Sequence, residues 1–480
     1  MNAATTGNLD KIEHIVVLML ENRSFDHMLG YLSLEAGRID INGLRAGMSN
    51  PAGGHEFPIH HLTGPEITDL EQKVFDPDHS AAATDHQINA GKMSGFASSY
   101  AHVLSKRGRP AEDAGFVMGY YNAQDLPVYD HLAQHFCVCD QWHSSVPGAT
   151  WPNRLYAVAG RADGSRDDKP KPPPLYNLPS FVRHLDAHDI DWRWYSFDPA
   201  TLRCVDREYL LAFSRHHRFR FFDKATLRWQ TALEELPVID EGSASFIQDA
   251  AQGTLPSVSW IDPNFNDLNL WGAASNDDHP PSDVMEGQEL VLRVYNALAA
   301  SPQWDTTMLI VTYDEHGGFH DHVPPPAAPD DDPNMRSYGV RVPALIVSPL
   351  IPEQTASHTL FDHTSIIKTI LGRFCPDELD KPTGLAKVEH WLRPGHPHYM
   401  GTRVHQANDL GGLLALTEPR AAPDRTALID QFAQRRATAA AKALTAAPTT
   451  PPANTLSDLQ TGIAAAAREL RRQGLPPGHP

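Results

Sequence analysis

Ile15-Val16-Val17-Leu18-Met19-Leu20, followed at once by Glu21-Asn22-Arg23-Ser24-Phe25-Asp26-His27, is the stretch from which the fold can be read. The apolar run begins with three β-branched residues and has polar neighbours at both ends, the mark of a strand buried on both faces. It is far too short to cross a bilayer. Ser24 to Leu34 then reads as a helix. The same pattern recurs downstream: Met308–Thr312 and Ala344–Val347 read as further buried strands. Ile366–Leu371 reads as a helix behind the capping residues Asp362-His363-Thr364-Ser365. Trp192–Phe197 is a candidate additional strand. Buried strands separated by long helical and loop segments predict an α/β fold with a parallel or mixed sheet covered by helices.

Outside this core the pattern is less regular. Lys169–Pro174 reads as a surface loop, as does Pro324-Pro325-Pro326 with the acidic run Asp330-Asp331-Asp332. Beyond Thr402 alanine rises, and Pro448–Pro452 separates two helical stretches, Thr426–Leu444 and Leu456–Arg472. The expected division is a catalytic unit of residues 1–402 and an Ala/Pro-rich helical extension of residues 403–480. With 480 residues, 41% of them hydrophobic, the chain can bury a large core. Its 40 basic and 59 acidic residues give a net charge of −19, which argues against nucleic acid as a partner. Cys137, Cys139, Cys204 and Cys375 have no zinc-knuckle spacing, and Cys137 and Cys139 read as buried thiols on or near a strand. The N-terminus lacks the basic start and apolar core of a signal peptide, so the default expectation is a cytoplasmic protein.

Three motifs sit where strands end, which is where open α/β sheets gather their chemistry. Glu21-Asn22 supplies two adjacent oxygen ligands for a hard cation, or else caps the following helix. Asp314-Glu315, followed by His316-Gly317-Gly318, pairs two acids whose repulsion a bound cation would relieve, with glycines that permit close backbone approach. His316, His320 and His322 also raise a histidine-rich metal cluster, although their spacing fits no standard zinc helix. In Gly148-Ala149-Thr150-Trp151-Pro152-Asn153-Arg154 the proline suits a first helical turn, placing Thr150 at a helix N-terminus near free backbone N–H groups. Thr150 is there either as an ordinary cap or to meet a phosphate. Arg154, one turn on, orients the site or holds the helix; Arg154 and His316 are the expected substrate-binding residues. His79 and His279 lie in polar loops with no evident packing duty.

Together the motifs resemble the bacterial phosphoesterase family that includes phospholipases C, related acid phosphatases and plant non-specific phospholipases C. The matching segments are Ile15–Gly30, Asp76–Phe96, Asp140–Gly160, Asn276–Gly287, Thr312–Pro326 and Tyr338–Ile370, in the family's order. The resemblance implies an alkaline-phosphatase-like three-layer α/β/α core with a central, mostly parallel sheet. It also implies that Glu21, Asn22, Asp314 and Glu315 hold a metal, that Thr150 attacks phosphorus, and that His79 and His279 contact the phosphoryl group. The chain lacks the extra C-terminal β-domains common in secreted bacterial phospholipases C.

The expected activity is metal-dependent hydrolysis of a phosphate ester, phospholipase C-like, through a phosphothreonine on Thr150. One divalent cation is expected, with Thr150 as a further ligand; oxygen donors favour calcium, magnesium or manganese and do not exclude zinc. The alternatives are an acid phosphatase acting on soluble monoesters and a non-catalytic metal- or phosphate-binding module. A phospholipid is one candidate substrate, its head group chosen by loops such as Trp192–Arg220. The outline of Thr150–Arg154 also fits the sulfatase motif, but threonine cannot form the aldehyde that sulfatases need.

Overall fold

The Ile15–Leu20 run lies within β1, His14–Leu20, and every residue after His14 is buried. The computed structural model describes residues 7–62, 75–168, 176–196, 200–210, 219–221, 245–265, 275–280, 284–379 and 400–445, with 459, 460, 463, 468 and 472. The other described strands are β2 Ser49–Ala52, β3 His55–Pro58, β4 His60–His61, β5 Gly119–Tyr120, β6 Cys137–Cys139, β7 Trp192–Ser196, β8 Phe219–Phe221, β9 Val258–Ile261, β10 Thr307–Tyr313, β11 Ala344–Val347 and β12 Thr355–Ser357. Eight of them form one sheet in the order β12-β6-β11-β10-β1-β9-β7-β8. All its pairings are parallel except the two made by β11, which runs against β10 and β6. Helices pack on both sides of this mostly parallel sheet, the arrangement that buried strands with long crossovers require.

β1 and β10 are paired from His14↔Thr307 to Leu20↔Tyr313. Asp314 N–H then donates to Leu20 O at 3.2 Å, so Glu21 and Asp314 leave the sheet side by side. The Ser24–Leu34 stretch forms two short helices, Phe25–Leu29 and Tyr31–Leu34. Gly30 stands between them with right-handed helical angles, and a Cβ there would stand 2.4 Å from Asp26 O and 2.6 Å from the Leu44 side chain. Ser24 is the cap, its hydroxyl accepting from His27 N–H. The later helix spans Thr364–Phe374. Its N-cap is His363, which makes no side-chain capping bond and reaches the site instead.

All four cysteines are free and buried, Cys137 and Cys139 on β6. The extra strand at Trp192 is β7, at least to Ser196; Phe197 lies outside the described residues, as do the Lys169–Pro174 loop and Pro448–Pro452. The stretch at Thr426 is a helix to Thr445. Within Leu456–Arg472 the described residues Leu459, Gln460, Ile463, Arg468 and Arg472 are helical. Val404, Leu410, Leu414, Leu428, Phe432, Leu459 and Ile463 belong to the same hydrophobic cluster as β1 and β10. No helix among the described residues is long and apolar enough to cross a membrane.

A buried ionic hub ties the segment after β1 to the segment after β10. Arg341 donates to Asp26 Oδ1 at 3.1 Å and to both oxygens of Asp321, and stacks 4.4 Å from the Phe25 ring centroid. His322 donates its backbone N–H at 2.9 Å to Asp26 Oδ2, and its Nδ1 is 2.6 Å from the same oxygen. Burial opposes charge on both partners, yet His322 is held above its ordinary 6.5 by Asp26. Asp26 is held below its ordinary 3.8 by His322 and Arg341. The imidazolium therefore contributes stability that is full below pH 6.5 and fades as pH rises through the folded-state pKa. The carboxylate's contribution is full above pH 3.8 and fades as pH falls through its own. We expect the decline in stability between about pH 6 and pH 9 to be smaller in His322→Gln than in the wild type. Urea denaturation at the two pH values checks this; an identical decline in both proteins would show that His322 is not the titrating group.

Candidate active site at the strand ends

Thr150 is the first residue of the helix Thr150–Ala159. Its hydroxyl faces the β1 motif, donating to Asn22 Oδ1 at 3.4 Å. Asn22 holds a left-handed backbone, φ 60°, which asparagine tolerates better than most residues. In that conformation its N–H donates to Asp314 Oδ1 at 3.1 Å. The side-chain Nδ2 stands 3.4 Å from His79 Nε2. One asparagine thus links the threonine, the acid pair and a histidine.

Glu21, Asp314 and Glu315 are fully buried. Both carboxylate oxygens of Glu21, and Oε1 of Glu315, have no hydrogen-bond partner among the described residues. Burial pushes the Glu21 carboxyl well up, and the neighbouring acids add to it against Arg154. Asp314 is raised to about 6, again chiefly by burial. Glu315 is lowered, because His79 and His316 outweigh its burial. Buried acid oxygens left without protons or donors are costly unless a cation meets them. The donors are all oxygen, the chemistry of a hard divalent ion, so the residues present fit such a group.

Among the described residues, the sets of three acids or histidines with ligand atoms within 4.8 Å of one another are Asp76–His79–His279 and Asp26–Asp321–His322. Glu21, Asp314 and Glu315 are not among these sets, and Arg154 stands between two of the three. Its Nε donates to Asp314 Oδ2 at 2.9 Å, and its Nη2 lies 3.3 Å from Glu21 Oε1, placing a positive charge between the two acids. Nη2 also donates to the carbonyls of Met19 and Leu20. The side chain expected to bind substrate is therefore engaged in holding two candidate ligands. His316 is likewise engaged: Nδ1 lies 3.2 Å from Glu315 Oε2 and Nε2 lies 2.8 Å from Gln87 Oε1. The three-histidine cluster does not form, since His322 joins the ionic hub and His320 packs edge-on against Phe96.

His79 and His279 are brought together, with ring centroids 6.1 Å apart. Each donates Nδ1–H to a nearby carbonyl, Pro77 O at 3.0 Å and Pro280 O at 2.7 Å. Asp76, which sequence reasoning passed over, lies between them at 4.0 Å from His79 Nδ1 and 3.8 Å from His279 Nε2. Its signal was present, three residues before His79 in the same loop. Burial favours neutral His79, while Glu315, Asp76 and Asp168 press the other way and raise it to about 10. His363, also missed, has Nε2 at 2.6 Å from Asp314 O and braces the acid pair from behind.

The glycines after the acid pair do what their position suggested. Gly317 has φ +62°, and a Cβ there would stand 2.0 Å from Asn22 O. Gly317→Ala is expected to cost at least about 2 kcal/mol. Gly164→Ala, at φ +68° but in open space, should cost about 1 kcal/mol. Equal losses in denaturant titrations would show that the approach to Asn22 is not what demands glycine.

The model of the phosphoesterase family matches residues 12–375. A non-specific phospholipase C6 of Arabidopsis thaliana is 34% identical over 380 residues, covering 75% of this chain and 67% of its own. A phospholipase C B of Mycobacterium tuberculosis is 29% identical over 405 residues, covering 77% and 74%. Among solved structures, the lipoteichoic acid synthase LtaP of Listeria monocytogenes covers 85% of this chain and 78% of its own, at 10% identity and a TM-score of 0.35. A protein in the alkaline phosphatase superfamily from Vibrio parahaemolyticus covers 52% and 60%, at 12% identity and 0.31. At such scores the likeness says nothing about chemistry.

Proposed function

This chain belongs to the phosphoesterase family and is a phospholipase C-like ester hydrolase, and from that premise we propose that it cleaves phosphodiesters by covalent catalysis on Thr150 with a divalent cation. The observation that carries the reading is the Thr150 hydroxyl on Asn22, beside a buried Glu21 whose two oxygens have no hydrogen bond from a described residue. Glu21, Asn22, Asp314, Glu315 and Thr150 Oγ1 would hold the cation, with calcium, magnesium or manganese favoured by the oxygen donors and zinc not excluded. When bound, it supplies positive charge that eases ionisation of the threonine hydroxyl and balances the phosphoryl oxygens.

The chain's own groups account for the rest. Thr150 Oγ1 gives up its proton to solvent and attacks phosphorus, and the bond to the leaving alcohol oxygen breaks on the opposite side. His79 meets the phosphoryl oxygens. His279, across from it, is placed to give a proton to the departing alcohol. Water then attacks the phosphothreonine, the P–Oγ bond breaks, and a phosphomonoester leaves. Arg154 keeps Glu21 and Asp314 in place throughout. We assign this chemistry to residues 1–402, with 403–480 as an extension that packs on the core. Product analysis on phosphatidylcholine beside a soluble phosphomonoester tests the reading: diacylglycerol with phosphocholine supports it, and release of phosphate from the monoester alone would replace it with a phosphatase.

A further inference from the structure

At the N-terminus of the nucleophile helix one backbone donor is already taken. Pro152 has no N–H, and Trp151 N–H donates to Asp168 Oδ1 at 2.7 Å. A carboxylate thus occupies one of the backbone donors next to Thr150, where a phosphate oxygen would otherwise have been expected. Asp168 is firmly placed, because the two residues before it are anchored on the same loops. Arg166 donates to Pro147 O and pairs with both oxygens of Asp85, and its own carbonyl accepts from Ala149 N–H at 2.9 Å. Asp167 Oδ1 accepts from Ala81 N–H at 2.7 Å, just beyond His79. The segment therefore straps the threonine loop to the histidine loop and holds a negative charge between them. His79 feels that charge, along with those of Glu315 and Asp76.

We infer that Asp168 is a specificity-determining residue that selects singly charged phosphodiesters over doubly charged phosphomonoesters. The inference rests on Thr150 being the site of phosphoryl attack. A diester carries one negative charge at every pH of interest. A monoester carries nearly two above its second pKa, about 6. Against a fixed carboxylate beside the reacting phosphorus, the extra charge is repelled, and a partly desolvated site screens it poorly. The same repulsion acts on the product, since diester cleavage releases a monoester that becomes a dianion. Asp168 would thus both admit the substrate and help expel the product.

The test compares bis(p-nitrophenyl) phosphate with p-nitrophenyl phosphate on the full chain at saturating divalent cation. In Asp168→Asn the Oδ1 acceptor for Trp151 N–H is kept and the charge is lost. At about pH 7.5 the ratio of kcat/KM for diester over monoester should fall by about tenfold in the variant. Inhibition by inorganic phosphate should tighten by a similar factor. In the wild type, the ratio should itself fall as pH drops from about 7.5 to 5 and the monoester loses its second charge. Groups on the free enzyme cancel in that ratio, so the trend reports the substrate's charge, and its flattening in Asp168→Asn assigns the discrimination to Asp168. An unchanged ratio in Asp168→Asn, equal losses on both substrates, or a flat wild-type profile would each overturn the inference. If Asp168→Asn does not fold, Asp168→Ser and the wild-type profile decide. Turnover surviving Thr150→Val would instead defeat the nucleophile assignment and leave the Asp168 ratio to be judged alone.

Discussion

Thr150→Val is expected to lower turnover by several orders of magnitude while the protein still folds. Valine keeps the branched shape of threonine, and the hydroxyl's one hydrogen bond to a described residue is the 3.4 Å contact with Asn22 Oδ1. Loss of so long a bond should cost no more than about 1 kcal/mol. On the proposed mechanism catalysis loses more, because the covalent route and one cation contact would vanish with the same oxygen. Thr150→Ser restores a hydroxyl at the same place and should recover part of the activity. The measurement is kcat on bis(p-nitrophenyl) phosphate at saturating cation, with melting temperature as the control for folding. Wild-type turnover in the valine variant would assign the attack to water.

The large lines of the fold were legible because burial on both faces leaves a mark in sequence. β1, β10 and β11 are continuous apolar runs, and each was found within a residue or two of its ends. The short strands were harder. β12 reads Thr355-Ala356-Ser357 and has no apolar run at all; its place comes from pairing with β6. β9 reads Val258-Ser259-Trp260-Ile261, and the serine hides a strand whose four residues are all buried. The direction of β11 was also beyond reach, since an antiparallel insertion in a parallel sheet uses the same residues.

For the site the boundary is similar. Glu21-Asn22 and Asp314-Glu315 were legible because each follows a buried strand, and the β1–β10 register puts the pairs side by side. What the sequence could not show was which way a long side chain would turn. Arg154 lies one helical turn from Thr150, so it had to be near the reaction. Whether its guanidinium would meet substrate or the acids depended on the carbonyls of Met19 and Leu20, two strand-end acceptors that fix Nη2. Asp168 was hidden for a related reason: it meets the helix N-terminus from a separate loop, with no spacing to announce it.

That orientation of Arg154 leads to the second large effect. Arg154→Met should destabilise the chelator-treated protein by about 3–5 kcal/mol, the usual cost of removing one partner from a buried ion pair. The guanidinium lies between Glu21 and Asp314, both fully buried, and packs 5.0 Å from the Phe265 ring centroid. Methionine fills much of the volume, so the loss is mainly that of charge and hydrogen bonds rather than of packing. Without Arg154 the acids face each other and Glu315 with less positive charge among them. A divalent cation that binds these acids in the folded state should then return part of the lost stability, in proportion to the logarithm of its concentration. Arg154→Lys keeps the charge but not the fork that spans both acids, and should fall between. Denaturant titrations with and without calcium or magnesium measure all three proteins. A role in substrate binding alone predicts a different result: unchanged stability in Arg154→Met, no added benefit from the cation, and a raised KM. The two outcomes share no common reading, so the variant decides whether Arg154 serves the acids or the substrate.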